Sequence, residues 1–311
     1  MPAPHVVILL ASYQGATHIR TQLDSIAAQT HRDWSLIVSD DGSKDGTPDL
    51  VRRFADRWPD RVTLVQGPGQ GATRNFLSLI QRAPKDAMIA FCDQDDQWLP
   101  HKLEWAVGYL ADQGGPAHYA ARTIITDGQL RPLTQSRHFP RPLGFRNALV
   151  QAIMAGNASV FNAAAAGLLQ QAAGHARDAG IVSHDWWAYQ VTSGANAALW
   201  HDPRPCLLYR QHDRSEVGRN DTLPALAARM RKLMAGDFGA WMATNLDSLR
   251  PIRDLFSTTN RHVFDQTDAM LDATGPQALQ MMRRAGLYRQ TQPATLALAA
   301  SVAAGRLRRP V

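Results

Sequence analysis

Through the first half of the chain, short apolar runs alternate with longer stretches whose apolar residues recur every three or four positions. The runs Val6 to Ala11, Ser35 to Ser39, Val62 to Gln66, Ala87 to Cys92 and Ala117 to Ala121 have the length and composition of strands. The segments between them are long enough for crossover helices, so the pattern predicts an α/β fold with a mainly parallel sheet flanked by helices. One helix start is well signalled: Thr47 as N-cap, Pro48 at the first helical position, Asp49 in the first turn, then Leu50, Val51, Phe54, Ala55 and Trp58 at helical spacing. Asp40 to Gly46 must then form the loop that precedes it.

From about Gly144 the pattern changes. It predicts a strand over Gly156 to Phe161, an Ala-rich helix from Ala163, a helix containing His184 to Gln190, and a strand pair, Ala197 to Trp200 and Cys206 to Arg210. After Leu223 only helical patterns follow, with Pro224, Pro251, Pro276 and Pro293 as boundaries.

Composition narrows the class. The longest nearly uncharged apolar stretch, Ala294 to Gly305, is short of the roughly 20 residues a membrane-spanning helix needs. Val6 to Ala11 has no Lys or Arg before it, which argues against a secretory signal. Two cysteines, Cys92 and Cys206, cannot build a disulfide framework or a four-thiolate zinc site, and a reducing cytosol is expected. Beside its acidic neighbours, Cys92 reads as a small core residue. The net charge of +6 lies wholly beyond residue 222, where 12 basic residues face 6 acidic ones. Leu223, Leu226, Met230, Leu233 and Met234 share one helical face there, with Arg229, Arg231 and Lys232 at its flanks. Such a helix packs on the rest of the protein or lies on an anionic membrane surface.

Ligands of open α/β sheets sit beyond the carboxyl ends of the strands, and three strand ends here carry polar clusters. The first is Ala11-Ser12-Tyr13-Gln14 and the second Asp40-Asp41-Gly42-Ser43-Lys44-Asp45-Gly46-Thr47. A carboxylate such as Asp41 can accept the imide N–H of uracil or thymine while an aromatic ring stacks on the base; Gly42, Gly46 and Thr47 read as turn and cap chemistry. The third cluster is Asp93-Gln94-Asp95-Asp96-Gln97-Trp98. Two carboxylates at i and i+2 leaving a buried strand repel one another by about 4 kcal/mol at 4 Å and an effective dielectric of 20, so they ask for a cation, and hard oxygen ligands suit Mg²⁺ or Mn²⁺.

The ordered set Ala11-Ser12-Tyr13-Gln14, Asp40-Asp41-Gly42-Ser43, Asp93-Gln94-Asp95-Asp96 and His184-Asp185-Trp186-Trp187 resembles the family 2 inverting glycosyltransferases with the GT-A fold. Tyr209-Arg210-Gln211-His212 is similar to their rhamnosyltransferase-like branch, which builds bacterial surface polysaccharides. The resemblance covers residues 4 to 218. It implies a catalytic domain over 1–222, with 1–121 binding the nucleotide-sugar and 122–222 the acceptor, followed by a basic helical region over 223–311. It also implies inverting, metal-dependent transfer from a dTDP- or UDP-sugar to a saccharide or lipid-linked saccharide.

By resemblance Tyr13 and Asp41 hold the base, with Ala11 beside them in the substrate-binding set. Arg74 is placed near the donor diphosphate, Asp93 and Asp95 form the Asp-X-Asp metal motif, and Asp185 is the catalytic base. Gln14 stands where Asn is usual, and Asp213-Arg214-Ser215 follow His212 where this branch often shows Gly and Asn, which bears on the donor sugar.

From the residues alone, Asp185 is equally a helix cap or first-turn acid, and Trp186 and Trp187 form a sugar platform or divide between core and surface. His212 reaches a metal or phosphate, or is structural, and His138 lies in a loop open to an acceptor. The competing functions are an Asp-X-Asp phosphatase and a catalytically silent nucleotide-sugar binder. A dehydrogenase lacks its G-x-G-x-x-G after the first strand, and three acidic strand ends disfavour nucleic acid as a partner.

Overall fold

A computed structural model describes residues 4–211 and 237–309. The expected boundary between 222 and 223, His212, Pro224 and the basic amphipathic stretch Leu223 to Met234 lie outside the described residues. The described chain forms two compact units, one of residues 4–138, 154–174 and 197–211, the other of 139–153, 175–196 and 237–309.

The first unit holds the sheet. Its strands are β1 (Val6–Ser12), β2 (Trp34–Asp40), β3 (Val62–Gln66), β4 (Met88–Cys92), β5 (Gln97–Trp98), β6 (Ala117–Thr126), β7 (Pro132–Gln135), β8 (Val160–Phe161) and β9 (Ala198–Arg210). Their order is β3-β2-β1-β4-β8-β6-β9-β5, with β7 paired to β6. The first four of these are parallel, as the crossover pattern requires. Beyond β4 the sheet is mixed, because β8 runs antiparallel to both β4 and β6, and β5 antiparallel to β9. Every residue of β1 is buried, which explains why that strand reads as a continuous apolar run rather than an alternation.

Helices α1 (Ile19–Ala27), α2 (Thr47–Arg57), α3 (Ala72–Arg82) and α4 (Lys102–Ala111) connect these strands. Val51 and Phe54 of α2 are buried, and the Trp58 ring packs 5.3 Å from that of Trp34. The core runs from Val6, Ile8 and Leu10 through Ala90 and Tyr119 to Leu207.

Three local expectations need correction. First, Thr47 is not the cap of α2. Its hydroxyl accepts the Gly15 N–H at 2.9 Å and donates to Asp45, and the Asp45 carboxylate receives the Thr47 N–H at 3.2 Å, with Gly46 left-handed between them (φ 86°). Second, the expected strand pair after Ala197 is the single strand β9. Asp202-Pro203-Arg204-Pro205 reads as a turn, but the chain stays beside β6 through shifts of register. The buried Asp202 carboxylate holds the irregularity by accepting the Arg204 N–H at 2.9 Å and the Tyr119 hydroxyl at 2.8 Å. Third, Gly156 to Phe161 begins with a 3₁₀ turn, Gly156–Ala158, before the short β8.

The helix α6 (Ala163–Ala179) leaves the first unit and enters the second. The second unit carries α5 (Phe145–Ala148), α7 (His184–Gly194), α8 (Asp237–Leu249), α9 (Thr258–Asp272), α10 (Gly275–Ala285) and α11 (Gln292–Ala303). Pro276 and Pro293 stand in the first turns of α10 and α11, where a missing N–H costs nothing. Phe256 packs 5.0 Å from Phe145, so closely over Gly194 that a Cβ there would lie 2.7 Å from the ring. Asn260 Nδ2 donates to the carbonyls of Ser193 and Gly194 and so closes the end of α7.

His118, fully buried beside β8, shares a hydrogen bond with Ser159 Oγ at 3.0 Å and has its ring centre 4.1 Å from that of Phe161. Burial pulls its pKa down to about 3. The unfolded chain therefore takes up a proton near pH 6.5 that the folded chain refuses until about pH 3, and stability falls with pH across that window by about 1.4 kcal/mol per unit. Urea unfolding of His118→Gln between roughly pH 6 and 4 should show a slope shallower by about that amount. An unchanged slope would place the acid sensitivity elsewhere.

Candidate active site

The parallel register aligns Ser12 with Asp40, Asp40 with Gln66, and Leu10 with Cys92. The polar residues that follow β1, β2, β3 and β4 therefore emerge along one edge of the sheet. At their centre is Asp40. Its Oδ1 accepts the N–H groups of Gly42 (3.2 Å) and Ser43 (2.8 Å), and its Oδ2 accepts the hydroxyls of Ser12 (2.9 Å) and Ser43 (2.7 Å). Charge-assisted bonds of this kind offset the burial of the carboxylate and lock the β1 and β2 exits together. Gln14 is left-handed (φ 49°); its N–H donates to Ser43 Oγ and its longer side chain accepts the Lys44 N–H at 3.1 Å. Tyr13, one residue earlier, is 57% exposed, and Ala11 is buried beneath it in β1.

Asp41 has a second task. Its two oxygens accept the N–H groups of Gly69 and Gly71, each at 2.7 Å. Both glycines have positive φ, and a Cβ on Gly67 would lie 2.7 Å from Asp41 Oδ1, so the Gly67 to Gly71 loop is shaped around this carboxylate. Each carboxylate oxygen keeps a further acceptor site, so base recognition stays chemically open to Asp41. The loop leads into α3, whose first turn carries Arg74; its guanidinium donates to Gln70 Oε1 at 2.9 Å. A helix start with an arginine favours anions. Gly42 and Gly46, both with positive φ, are turn residues as expected.

After the fully buried β4, Asp93 and Asp95 are half-buried while Asp96 is completely buried. Asp96 accepts Asn157 Nδ2 at 2.7 Å and the Arg210 N–H at 3.2 Å; burial, with Asp95 adding to it, pushes its pKa up to about 7. Lys102 is also fully buried, its Nζ donating to the Asn157 carbonyl and lying 3.5 Å from the Trp98 ring centre, and burial lowers its pKa. Arg210 donates from Nε to the Asp95 carbonyl at 2.8 Å and from Nη1 to the Gly128 carbonyl at 2.6 Å. The Tyr209 phenol is pushed above its usual range by burial and then by Asp96, Asp93 and Asp95.

Asn157 has no signature in motif spacing, because it joins Asp96 from far along the chain, whereas Tyr209 and Arg210 belong to the run that carries the branch resemblance. Lys102 left a trace of another kind: it lies in line with the buried Ala106 and Leu110 on the inner face of α4. Cys92 and Cys206 are buried free thiols, in keeping with the core reading.

Among the described residues no three His, Cys, Asp or Glu side chains gather as a metal cage. Asp93 and Asp95 nevertheless offer hard oxygens at a half-buried strand end, which suits a cation that completes its shell with substrate phosphates.

Asp185 lies in the second unit, in the first turn of α7. Ser183 caps that helix, and Asp185 Oδ1 accepts the Ser183 hydroxyl and, at 2.7 Å, the Trp186 N–H. Burial holds the neighbouring His184 imidazole below its usual pKa. The expected platform at Trp186 and Trp187 needs correction, since both rings are buried. Trp186 donates from Nε1 to the Ala148 carbonyl and stacks on Phe238 at 5.6 Å, so its indole is consumed by packing within the unit. His138 is exposed in the loop after β7.

The sequence profile of glycosyl transferase family 2 matches residues 7–172, more than half of the chain and the whole span of these strand ends. The chain belongs to glycosyl transferase family 2. It is 28% identical over 236 residues to the dTDP-rhamnosyl transferase RfbG of Shigella flexneri, covering 71% of this chain and 78% of RfbG. To WfgD of Escherichia coli, a UDP-Glc:alpha-D-GlcNAc-diphosphoundecaprenol beta-1,3-glucosyltransferase, it is 29% identical over 125 residues, 40% of this chain and 48% of WfgD. Among solved structures, S. aureus TarS 1-349 in complex with UDP-GlcNAc superposes with a TM-score of 0.54 at 14% identity, covering 97% of this chain and 89% of that 1-349 chain. The fold is accordingly of the GT-A type, and the family makes the protein a glycosyltransferase.

In this glycosyltransferase Arg210 is the tie between the Asp95 backbone and Gly128. Lys has no planar fork to span two carbonyls, so Arg210→Lys should lose about 1–3 kcal/mol in urea unfolding at neutral pH. A change below about 0.5 kcal/mol would mean that the acidic loop is held by Asp96 alone.

Proposed function

We propose that this family 2 glycosyltransferase moves a sugar, with inversion at the anomeric carbon, from a dTDP- or UDP-sugar to a saccharide or lipid-linked saccharide acceptor in bacterial surface polysaccharide synthesis. The observation that carries the reading is the alignment of Tyr13, Asp41, the Arg74 helix start and the Asp93–Asp95 pair along one carboxyl edge of the parallel strands. Rhamnose is the donor sugar favoured by the similarity to RfbG.

In this reading Tyr13 stacks on the base, Asp41 accepts its imide N–H, and Arg74 faces the diphosphate. Asp93 and Asp95 would hold Mg²⁺ or Mn²⁺. When bound, that cation supplies positive charge to the departing nucleoside diphosphate. Arg74 adds charge of the same sign from the protein itself, and the Arg210, Asn157 and Lys102 contacts fix the loop on which both acids stand. Asp185 takes the proton of the acceptor hydroxyl as it attacks the anomeric carbon; a single displacement of this kind inverts the centre. His212 is assigned to the phosphates or the metal, and Trp186 supports the acceptor side through its backbone N–H, which donates to Asp185 Oδ1.

No helix among the described residues is long and apolar enough to cross a membrane. We place the enzyme in the cytoplasm, with the positive charge beyond residue 222 suited to the anionic inner face of the cell membrane.

The proton-transfer assignment is tested by Asp185→Asn. Asn caps a helix nearly as well as Asp, so donor binding and folding should persist while transfer falls by about 10²- to 10⁴-fold. Near-normal transfer would return Asp185 to a purely helix-starting role, and a wild type that binds donor yet never transfers would favour the silent binder.

A further inference from the structure

Gln94 is the middle residue of Asp93-Gln94-Asp95, a position that metal chemistry leaves unspecified. Its side-chain amide both accepts from and donates to the backbone of one other residue. Oε1 accepts the Tyr13 N–H at 3.0 Å and Nε2 donates to the Tyr13 carbonyl at 2.9 Å. The need for this pair follows from the sheet: β1 is flanked by β4 only as far as the Leu10–Cys92 pair, so Tyr13 stands beyond the last rung that β4 supplies. The Gln94 amide has the donor and acceptor of a peptide group and acts as the missing strand neighbour. Gly15 leaves room for it, because a Cβ there would run into the amide, 2.6 Å from Gln94 Cδ. Gly15 is not among the positive-φ glycines, so space for Gln94 rather than backbone conformation sets the requirement.

We propose that Gln94 is a positioning residue that fixes the exposed Tyr13 for base stacking and thereby ties the base subsite to the loop carrying Asp93 and Asp95. The inference rests on the reading of Tyr13 as the base-stacking residue. It assigns the middle residue of the motif to nucleotide affinity rather than to the cation, and it makes the requirement chemical: an amide is needed, since a carboxylate of the same shape would set an oxygen against the Tyr13 carbonyl.

The experiment is calorimetric binding of two probes, UDP and inorganic pyrophosphate, each with Mn²⁺, to the full chain and its variants. Base–aromatic contacts of this kind support a loss of about tenfold in UDP affinity for Tyr13→Ala. Gln94→Ala and Gln94→Glu should each weaken UDP by up to about the same factor and leave pyrophosphate unchanged, which also shows that the variants fold. Adding Gln94→Ala to Tyr13→Ala should cause no further loss. Gly15→Ala should mimic Gln94→Ala and add nothing in the Gly15→Ala/Gln94→Ala pair.

Equal loss of UDP and pyrophosphate in the Gln94 variants would overturn the proposal, because Gln94 would then act through the acidic loop. Independent, multiplying losses with Tyr13→Ala would also overturn it. Intact UDP binding in Gln94→Ala with weakened binding in Tyr13→Ala would remove the inference and keep the base reading. Intact UDP binding in Tyr13→Ala would remove both.

Discussion

The candidate site of this protein depends on one buried carboxylate. Asp40 ends β2 inside the sheet edge, and taking its charge out of water is tolerable only because two backbone N–H groups and two hydroxyls converge on it. Those donors come from the exits of both β1 and β2, so satisfying the charge fixes the loops that present Tyr13 and Asp41. Asp41 repeats the device one residue later, gathering Gly69 and Gly71 and setting where α3 and Arg74 begin. Asp96 repeats it at the end of β4 with Asn157 and Arg210.

Four of the six carboxylates at these strand ends, Asp40, Asp41, Asp45 and Asp96, accept hydrogen bonds from groups distant in sequence. The proposed function assigns the cation to the other pair, Asp93 and Asp95, which are half-buried where Asp96 is fully enclosed. This division explains why a cluster so rich in acid can exist at the edge of a stable sheet. Lys102 and Arg210 offset part of the repulsion, and the rest adds to burial in raising the pKa of Asp96.

Strands β1 and β4 were legible because burial on both faces writes itself as unbroken apolar runs, and the motifs at the strand ends were legible because a parallel sheet puts successive carboxyl ends on one edge. Local chemistry misled where a distant partner outbid the neighbour. Thr47 has the residue type of a cap, yet its hydroxyl is taken by Gly15 and Asp45. Asp202 to Pro205 has the composition of a turn, yet pairing with β6 carries the strand through it. Trp186 and Trp187 gave no sign of which face would be covered, since α8 supplies the Phe238 ring from more than fifty positions away. Gln94, Asn157 and Arg210 act through contacts that no spacing rule encodes, whereas Lys102 betrayed itself as a charge on an apolar helix face.

The central claim of the proposed function is that Asp93 and Asp95 hold a divalent cation jointly with a nucleoside diphosphate, while Asp40, Asp45 and Asp96 serve the scaffold. The most direct measurement is Mn²⁺ binding by calorimetry with and without dTDP, in the wild-type protein and in Asp95→Asn. The account predicts that Mn²⁺ and dTDP each bind weakly alone and tightly together, and that the coupling disappears in Asp95→Asn. Tight dTDP binding that survives EDTA, or coupling that persists in Asp95→Asn, would contradict it.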